Sequence, residues 1–160
     1  MIYLVPVKQG DEDTLHNLMQ LYIYEFTVYQ EIKLEGNGRY APFDLKPYWT
    51  DQNMHAFFII HEGELAGFAL VESGSEDVPH IIREFFIMRK FYRMGFGKAA
   101  AVKLFDLFPG KWSITQVEKN EPAKTFWRKI IREYTDGNYT ERYDDRNRSI
   151  QEFDTALIIK

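Results

Sequence analysis

Cysteine is absent from this 160-residue chain. Its absence excludes disulfide bonds, thiolate metal sites and a cysteine nucleophile, and it fits a reducing compartment. The four histidines, His16, His55, His61 and His80, show no metal-ligand spacing. The Gly-x-Ser-x-Gly motif of many serine hydrolases is also missing. We therefore expect no bound metal, and neither a cysteine nor an esterase-type serine as nucleophile.

Long apolar segments are missing as well. No apolar run approaches the roughly 20 residues that a membrane-spanning helix needs. Residues 1–8 show no basic region followed by an apolar stretch and a small-residue cleavage site. The formal net charge of −4 gives no overall attraction to nucleic acid or to an anionic membrane. We expect a soluble, cytoplasmic protein with neither a nucleic acid nor a membrane as partner.

Proline and glycine are too scarce for a disordered chain, with six Pro and ten Gly against 45% hydrophobic and 16% aromatic residues. A globular chain of this length buries roughly 68–70% of the surface that its unfolded form exposes, which is enough for a core. The length is that of one ordinary domain. We therefore expect a single domain that covers residues 1–160.

The apolar pattern predicts strands and helices that alternate only in part. Predicted strands cover residues 2–7, 56–61, 65–72, 81–88, 112–117, 138–143 and 152–159. Predicted helices cover a stripe at helical spacing (Leu15, Leu18, Met19, Tyr22 and Phe26), residues 97–108, and a segment from Asn120 to Gly137. Residues 27–50 are interrupted by Gly and Pro and predict a short helix and a loop. The order predicts an α/β fold with a mixed sheet and helices on both of its faces.

The segment 83–101 carries the most chemical information. A predicted strand leads into a basic loop, then Gly95-Phe96-Gly97, then the first turn of a helix. Free backbone N–H groups at a helix start attract anions, and glycines allow a phosphate to approach the backbone closely. Four cations surround this start: Arg89, Lys90, Arg93 and Lys98. The segment indicates a phosphate site, although a strand–loop–helix corner with a solvated basic face fits the same residues.

A dinucleotide fingerprint is one interpretation of this segment. Gly95, Gly97 and Ala100 match the G-x-G-x-x-A form, and Glu118 lies about 20 residues further on, where a ribose-binding acid is expected. However, Arg89 to Met94 separate the glycines from the strand. The remaining residues also end in a predicted hairpin instead of further βα units. A hydride-transfer enzyme is therefore the least favoured interpretation.

A second interpretation fits better. Residues 92–97, Tyr-Arg-Met-Gly-Phe-Gly, resemble the pyrophosphate loop of the GNAT acetyltransferases, Q/R-x-x-G-x-G/A. Both glycines match, whereas Tyr92 stands where Gln or Arg is usual, with Arg93 beside it.

A downstream segment strengthens this resemblance. The family pattern of a strand, Asn, two residues, Ala, two residues and Phe-Tyr is similar to Asn120, Ala123 and Phe126 here, with Trp127 in place of the Tyr. The two segments stand in the family's order and spacing. The resemblance extends over most of the chain and is weakest at residues 27–50.

The resemblance implies the GNAT fold, with a six- to seven-stranded, mostly antiparallel mixed sheet. Strands 81–88 and 112–117 would splay apart in a V that holds the pantetheine of acetyl-coenzyme A (acetyl-CoA). The implied cofactor residues are the backbone of Ile87 and Met88 for the pantetheine, Arg93, Met94, Gly95, Phe96, Gly97 and Lys98 for the pyrophosphate, Asn120 beside the cofactor, and Phe126 and Trp127 near the thioester.

Catalysis of this kind needs a base for the attacking amine and an acid for the departing thiolate. Glu84 occupies a place where the family often carries a carboxylate, so it is the candidate base; pairing with Arg83 or simple exposure is the alternative. The acid is open, because an indole N–H at Trp127 is no practical acid. Tyr92, Tyr134 or water would have to replace it.

The resemblance implies an N-acetyltransferase that transfers acetyl from acetyl-CoA to a primary amine by direct attack in a ternary complex. The acceptor is a small-molecule or peptide amine, and the sequence does not distinguish a polyamine, an aminoglycoside, an amino acid, a peptide N-terminus and a protein lysine. The oligomeric state is also open, with a homodimer as one possibility. The alternative function is a GNAT-fold sensor or scaffold that binds acyl-CoA without turnover. Four aromatic residues in the variable segment either wall the acceptor pocket or pack in the core: Tyr40, Phe43, Tyr48 and Trp49.

Overall fold

The computed structural model describes residues 1–158, which form a seven-stranded sheet flanked by helices. The strands are β1 (Ile2–Pro6), β2 (Met54–His61), β3 (Glu64–Glu72), β4 (His80–Ile87), β5 (Lys111–Gln116), β6 (Thr140–Tyr143) and β7 (Ser149–Asp154). The helices are α1 (Glu12–Phe26), α2 (Pro47–Thr50), α3 (Phe96–Leu107) and α4 (Glu121–Thr135). The strand order is β1-β2-β3-β4-β5-β7-β6, and β4–β5 is the parallel pair in an otherwise antiparallel sheet. The predicted mixed, mostly antiparallel sheet is confirmed.

Helices cover both faces of the sheet, as the sequence predicted. The apolar stripe of α1 packs on one face, where Leu15, Leu18 and Met19 join a cluster with Phe68 and Leu70. On the other face, side chains of α3 and α4 pack with β5 in a second cluster that includes Leu104, Phe105, Ile131, Trp112 and Ile114. Each helix therefore buries one apolar side against the sheet, which stabilises the layers mainly through removal of apolar surface from water.

The sheet opens between β4 and β5. These parallel strands pair at two positions, His80 with Trp112 and Ile81 with Ser113, and their pairing ends there. The edge of β4 that faces β5 is therefore without a strand partner from Ile82 onward, within the part of the chain that the structure describes. This is the predicted V-shaped splay.

A β-bulge in β4 lies next to this opening. Opposite β3, Leu70 pairs with Glu84 and Val71 pairs with Ile82, so Arg83 is an extra residue in β4. A bulge bends its strand and increases the local twist. The bend begins two residues after the last pair between β4 and β5, where the strands separate.

The last predicted strand, residues 152–159, was placed too late in the chain. The structure puts β7 at Ser149–Asp154, where it pairs with both β5 and β6. Gln151 and Gln116 exchange two buried amide hydrogen bonds of 2.9 and 2.7 Å, so a long-range partner stabilises this polar strand. The Asp154 carboxylate then accepts from the Ala156 amide at 2.9 Å and starts a 3₁₀ turn that ends the strand. Residues 159 and 160 lie outside the described residues.

The other predicted elements lie close to their observed positions. β6 begins at Thr140 instead of residue 138, and the short helix expected within 27–50 is α2. No helix formed by residues 1–158 is both long and apolar enough to cross a membrane.

Candidate active site

A cavity of about 750 Å³ occupies the splay between β4 and β5. Its walls come from β4, β5, the C-terminal half of α1, the start of α4 and the segment that follows α1. Three of the predicted site residues line it: Glu84, Asn120 and Trp127. The predicted pyrophosphate loop lies beyond the end of β4, and residues 93–98 do not line the cavity.

Glu84 is a half-buried carboxylate in the wall of this cavity. It accepts a hydrogen bond from the phenolic hydroxyl of Tyr22. Burial raises the pKa of Glu84, while the Tyr22 hydrogen bond and the positive charge of Arg83 act in the opposite direction. Arg83 itself forms its ion pair with Glu72, at 3.1 Å between Nη2 and Oε1. Glu84 is thus a carboxylate with a pKa closer to neutrality than an ordinary glutamate, as a general base requires.

Tyr22 is the site residue that the sequence did not reveal. Its ring packs edge-on against Phe68, with centroids 5.5 Å apart, and tilted against Phe86 at 5.6 Å. Burial, followed by the nearby Glu84 charge, raises the pKa of Tyr22 well above its ordinary value, so the phenol stays protonated and donates. Helical periodicity assigned Tyr22 only to the apolar stripe. The available signal was its hydroxyl, because a buried tyrosine O–H requires a polar partner.

Three of the four candidate aromatic residues of the 27–50 segment, Phe43, Tyr48 and Trp49, pack against the cluster under α1, and one of these three also lines the splay cavity. Phe43 lines the cavity beside Tyr22. Tyr48 and Trp49 pack in the cluster under α1, and Tyr40 is held by two hydrogen bonds of its backbone with the Gln20 side chain, at 2.8 and 2.9 Å. Burial raises the pKa of Tyr48 to about 12. Only Phe43 among the four therefore serves as a wall of the splay cavity.

The predicted pyrophosphate loop turns sharply into α3. Arg93 and Gly95 both have left-handed backbone conformations, with φ of 66° and 77°, and Gly95 is the N-cap residue of the helix. A left-handed conformation costs little at glycine but is strained at arginine. The amides of Phe96, Gly97 and Lys98 lie in the first turn, where a helix provides no carbonyl acceptor for them. The structure therefore places three amides without a helical carbonyl acceptor at the loop where the sequence predicts a pyrophosphate site.

Most cations around the loop already have carboxylate partners. Arg89 donates two hydrogen bonds of 2.7 Å to Glu25, Lys90 lies 2.7 Å from Glu64, and Lys98 lies 2.6 Å from Glu133. Arg93 forms no ion pair with any of residues 1–158. The positive charge available to a phosphate is therefore smaller than the sequence suggests, and Arg93 is its main source.

Gly97 has a packing role that the sequence did not indicate. A Cβ atom at this position would lie 2.7 Å from two ring carbons of Phe126. Phe126 in turn packs against Trp127, with ring centroids 5.0 Å apart, and against Phe85 at 6.0 Å. The absence of a side chain at Gly97 therefore leaves room for the Phe126 ring, which packs between the start of α3 and the wall of the cavity.

Two predicted cofactor residues use part of their hydrogen-bonding capacity within the fold. The side-chain oxygen of Asn120 caps α4 by accepting from the Ala123 amide at 3.1 Å, which leaves its NH₂ group for another partner. The Met88 amide donates to the Ala66 carbonyl at 2.8 Å, and the Met88 carbonyl accepts from the Phe91 amide at 2.9 Å. The second lone pair of the Met88 carbonyl is the backbone acceptor that remains there.

Trp127 is almost fully buried, with 6% of its surface exposed, and packs edge-to-face against Phe85 at 5.1 Å. Its indole nitrogen has no hydrogen-bond partner within residues 1–158. The two tyrosines considered as acids lie elsewhere: Tyr92 is exposed on the loop, and Tyr134 donates to Asp106 at 2.8 Å. Among the described residues, Tyr22 is the tyrosine that lines the cavity.

Two of the four histidines, His80 and His55, are held by structural hydrogen bonds. His80 Nδ1 accepts from the Gly74 amide at 2.8 Å, and its Nε2 lies 2.9 Å from the Pro109 carbonyl oxygen. His55 Nε2 lies 2.9 Å from the Ser73 hydroxyl. Within residues 1–158 no group of three or more His, Asp or Glu side chains is arranged to hold a metal ion.

Comparison with known families agrees with this geometry. The family model described as the acetyltransferase (GNAT) family matches residues 16–131, which include the splay, the loop before α3 and most of α4. The chain belongs to the GNAT acetyltransferase family. A comparison with curated protein sequences finds no match.

Solved GNAT structures share the fold over nearly the whole chain. An acetyltransferase from Thermus thermophilus superposes with a TM-score of 0.72 at 16% identity, covering 96% of this chain and 97% of that one. The PaiA N-acetyltransferase of Thermoplasma acidophilum, solved with coenzyme A, gives a TM-score of 0.70 at 10% identity, with 96% and 99% covered. Mutant forms of the spermidine/spermine N-acetyltransferase SpeG from Vibrio cholerae give 0.64 at 14% identity, with 97% and 94% covered. At identities of 10–16%, the similarity to these structures shows a shared fold only.

Proposed function

We propose that this GNAT protein is an N-acetyltransferase that transfers the acetyl group of acetyl-CoA to a primary amine, by direct attack in the splay cavity. The observation that carries the proposal is the half-buried Glu84 carboxylate, which faces that cavity and holds a hydrogen bond from Tyr22. Acetyl-CoA is the co-substrate, and the chemistry that it supplies is an activated thioester. The solved PaiA relative, crystallised with coenzyme A, supports this choice of donor.

The loop before α3 binds the pyrophosphate in this proposal. The first-turn amides of Phe96, Gly97 and Lys98 donate to the phosphate oxygens, and Arg93, which has no internal ion pair among residues 1–158, neutralises their charge. Met94 and Gly95 shape the turn that presents these amides.

The open edge of β4 holds the pantetheine. Ile87 lies at the end of this edge, where β5 has already separated, and the Met88 carbonyl has one lone pair left. The Asn120 NH₂ group lies in the same cavity as a further donor. Phe126 and Trp127 pack beside the thioester and exclude water from it.

Glu84 acts as the general base, directly or through one water. It accepts a proton from the amine, whose lone pair attacks the thioester carbonyl carbon; the C–S bond then breaks and the thiolate leaves. A raised pKa brings the carboxylate closer to the optimum for this transfer near neutral pH. Water reprotonates the thiolate, which is a fairly good leaving group, and Trp127 serves as a wall of the acyl pocket.

A sensor or scaffold that binds acetyl-CoA without turnover is the second candidate. The feature that favours it is the replacement of the family's usual tyrosine by Trp127, which provides no practical acid. Both candidates bind acetyl-CoA, so binding alone does not separate them. They differ in whether an amine is consumed.

Two measurements test the proposal in sequence. Calorimetry should detect binding of acetyl-CoA in preference to NAD or ATP, and binding of NAD without acetyl-CoA would contradict the assignment of the loop. Release of free coenzyme A should then be followed with a panel of primary amines. Release that depends on the amine supports the enzyme, whereas firm acetyl-CoA binding without amine-dependent release supports the sensor.

A further inference from the structure

The charges that line the splay cavity are mainly positive. Among residues 1–158, three cationic side chains, Lys33, Arg83 and Arg148, line it together with one carboxylate, that of Glu84. The three come from different parts of the chain: the segment after α1, the bulge of β4 and the end of the β6–β7 turn. They therefore converge on one cavity through the fold and not through a local charge run.

Each cation retains hydrogen-bonding capacity toward the cavity. Arg148 uses Nε for Asp144, at 2.7 Å, and its two terminal nitrogens bond to nothing within residues 1–158. Arg83 contacts Glu72 through one terminal nitrogen and is half exposed, at 51%. Lys33 is exposed and has no ion pair within the described part of the chain. Guanidinium groups with free terminal nitrogens bind carboxylate or phosphate oxygens well.

This charge arrangement disfavours a polyamine. A polyamine would bring several ammonium groups into a cavity lined by three cations and one carboxylate, and like charges in a partly desolvated site repel one another. An acceptor that carries an anionic group beside its amine would instead pair with the cations and place the amine toward Glu84. The SpeG structure is that of a spermidine/spermine N-acetyltransferase, but at 14% identity the similarity shows only a shared fold.

We infer that the acceptor is an amine whose own molecule carries an oxyanion, a carboxylate or a phosphate, bound by Arg148 with Lys33 and Arg83 while the amine faces Glu84. The inference rests on the proposed acetyl transfer in this cavity and specifies its substrate class. The cations are separate from the predicted pyrophosphate loop, because residues 93–98 do not line the cavity. Amino acids, peptides with a free C-terminus and aminoalkyl phosphates share this chemistry.

Matched acceptors test the inference. Coenzyme A release should be measured with an α-amino acid, its carboxamide, an aminoalkyl phosphate and spermidine. We expect kcat/KM for an oxyanion-bearing acceptor to exceed that for the carboxamide and for spermidine by about tenfold or more, since one charge-assisted hydrogen bond supplies that factor. Comparison of kcat/KM for the amino acid and for the aminoalkyl phosphate shows whether the site prefers a carboxylate or a phosphate.

Arg148→Gln should raise KM for the preferred acceptor by about tenfold, affect the carboxamide by a clearly smaller factor, and leave the Kd for acetyl-CoA unchanged. Arg146→Gln, in the same turn but outside the cavity, is the matched control. Lys33→Gln, at an exposed loop position, should shift KM in the same direction without affecting folding. Preference for spermidine, or a loss of acetyl-CoA binding in Arg148→Gln, would overturn the inference.

A failure of the inference is distinguishable from a failure of the proposed function. Amines acetylated without any preference for an oxyanion would refute only the acceptor class. If no amine is acetylated, calorimetry of the amino acid against the protein saturated with coenzyme A still decides. Binding that Arg148→Gln weakens supports the oxyanion site, and absence of binding refutes it.

Discussion

Tyr22 and Glu84 are 62 residues apart in the chain and meet in one hydrogen bond at the wall of the splay cavity. α1 brings the phenol to one face of the sheet, and β4 brings the carboxylate to the same place beside its bulge. Burial favours the protonated form of Glu84, whereas the Tyr22 hydrogen bond favours the ionised form. In the proposed mechanism, burial and this hydrogen bond together determine the pH at which Glu84 becomes available as a base.

Tyr22→Phe should move the acidic limb of the pH–rate profile to higher pH. The substitution removes a hydrogen bond that lowers the pKa of Glu84, so burial then raises that pKa further. Glu84 ionises only at higher pH, while kcat on the alkaline side of the inflection should change little. The profile of kcat/KM against pH measures the shift, with the exposed Tyr24→Phe on the same helix as control. A shift to lower pH, or equal shifts in both variants, would contradict this role for Tyr22.

Glu84→Gln should make the folded protein more stable at high pH. The folded-state pKa of Glu84 is raised, so its contribution to stability is present below the unfolded pKa and is lost as pH rises through the folded value. Gln avoids this loss and still accepts from Tyr22. The melting temperature of the variant relative to wild type should therefore be higher at about pH 8 than at about pH 4. Glu64→Gln is the control, because the Glu64 carboxylate pairs with Lys90 at the surface. A melting temperature of Glu84→Gln that falls relative to wild type as pH rises would show that Glu84 is not held in a desolvated site.

Arg93→Gln should weaken acetyl-CoA binding by about tenfold, because it removes the loop cation that forms no ion pair within residues 1–158. Lys90→Gln should have a smaller effect, since the Lys90 charge is already offset by Glu64 at 2.7 Å. Calorimetry at two salt concentrations measures both, and wild-type binding should lose more affinity with added salt than Arg93→Gln. Equal losses in the two variants would mean that the ion pairs around the loop do not determine its affinity.

Trp127→Phe should cost little in turnover, because no proton transfer is assigned to the indole. Trp127→Ala should reduce the free energy of unfolding by about 3–5 kcal/mol through the cavity that it leaves under Phe85 and Phe126. Trp112→Phe is compared with Trp127→Phe, because it removes a 2.9 Å hydrogen bond from the Trp112 indole to the Phe108 carbonyl. The Trp127 indole has no such bond within residues 1–158. Denaturant unfolding and coenzyme A release measure these effects. If Trp127→Phe abolishes turnover with folding and acetyl-CoA binding intact, the indole N–H has a chemical role.

Local patterns were sufficient for most of the fold. The apolar stripe of α1, the hairpin of β2 and β3 and the Asn120 cap of α4 follow from periodicity and turn chemistry within a few residues of sequence. β7 was misplaced because Ser149 and Gln151 are polar and resemble a loop. Their strand depends on the buried Gln116 amide and on β6, which are distant in sequence.

The site was harder to predict than the fold. The resemblance to the family made Glu84 and Trp127 candidates, and both line the cavity. The sequence assigned Tyr22 only to an apolar stripe, whereas in the fold it contacts Glu84. The pairing of Arg89 with Glu25 crosses 64 residues, so the sequence could not show that this cation is already engaged. Long-range pairs of this kind contribute, together with burial, to the pKa of Glu84, and they reduce the free positive charge of the loop.

The most direct test of the account is turnover by Glu84→Gln with a competent acceptor and saturating acetyl-CoA. The account predicts a kcat lower by roughly 10²–10⁴ than that of wild type, the usual contribution of a general base, with acetyl-CoA affinity nearly unchanged and wild-type kinetics in Glu64→Gln. Unchanged turnover in Glu84→Gln would contradict the account and return this carboxylate to a structural role.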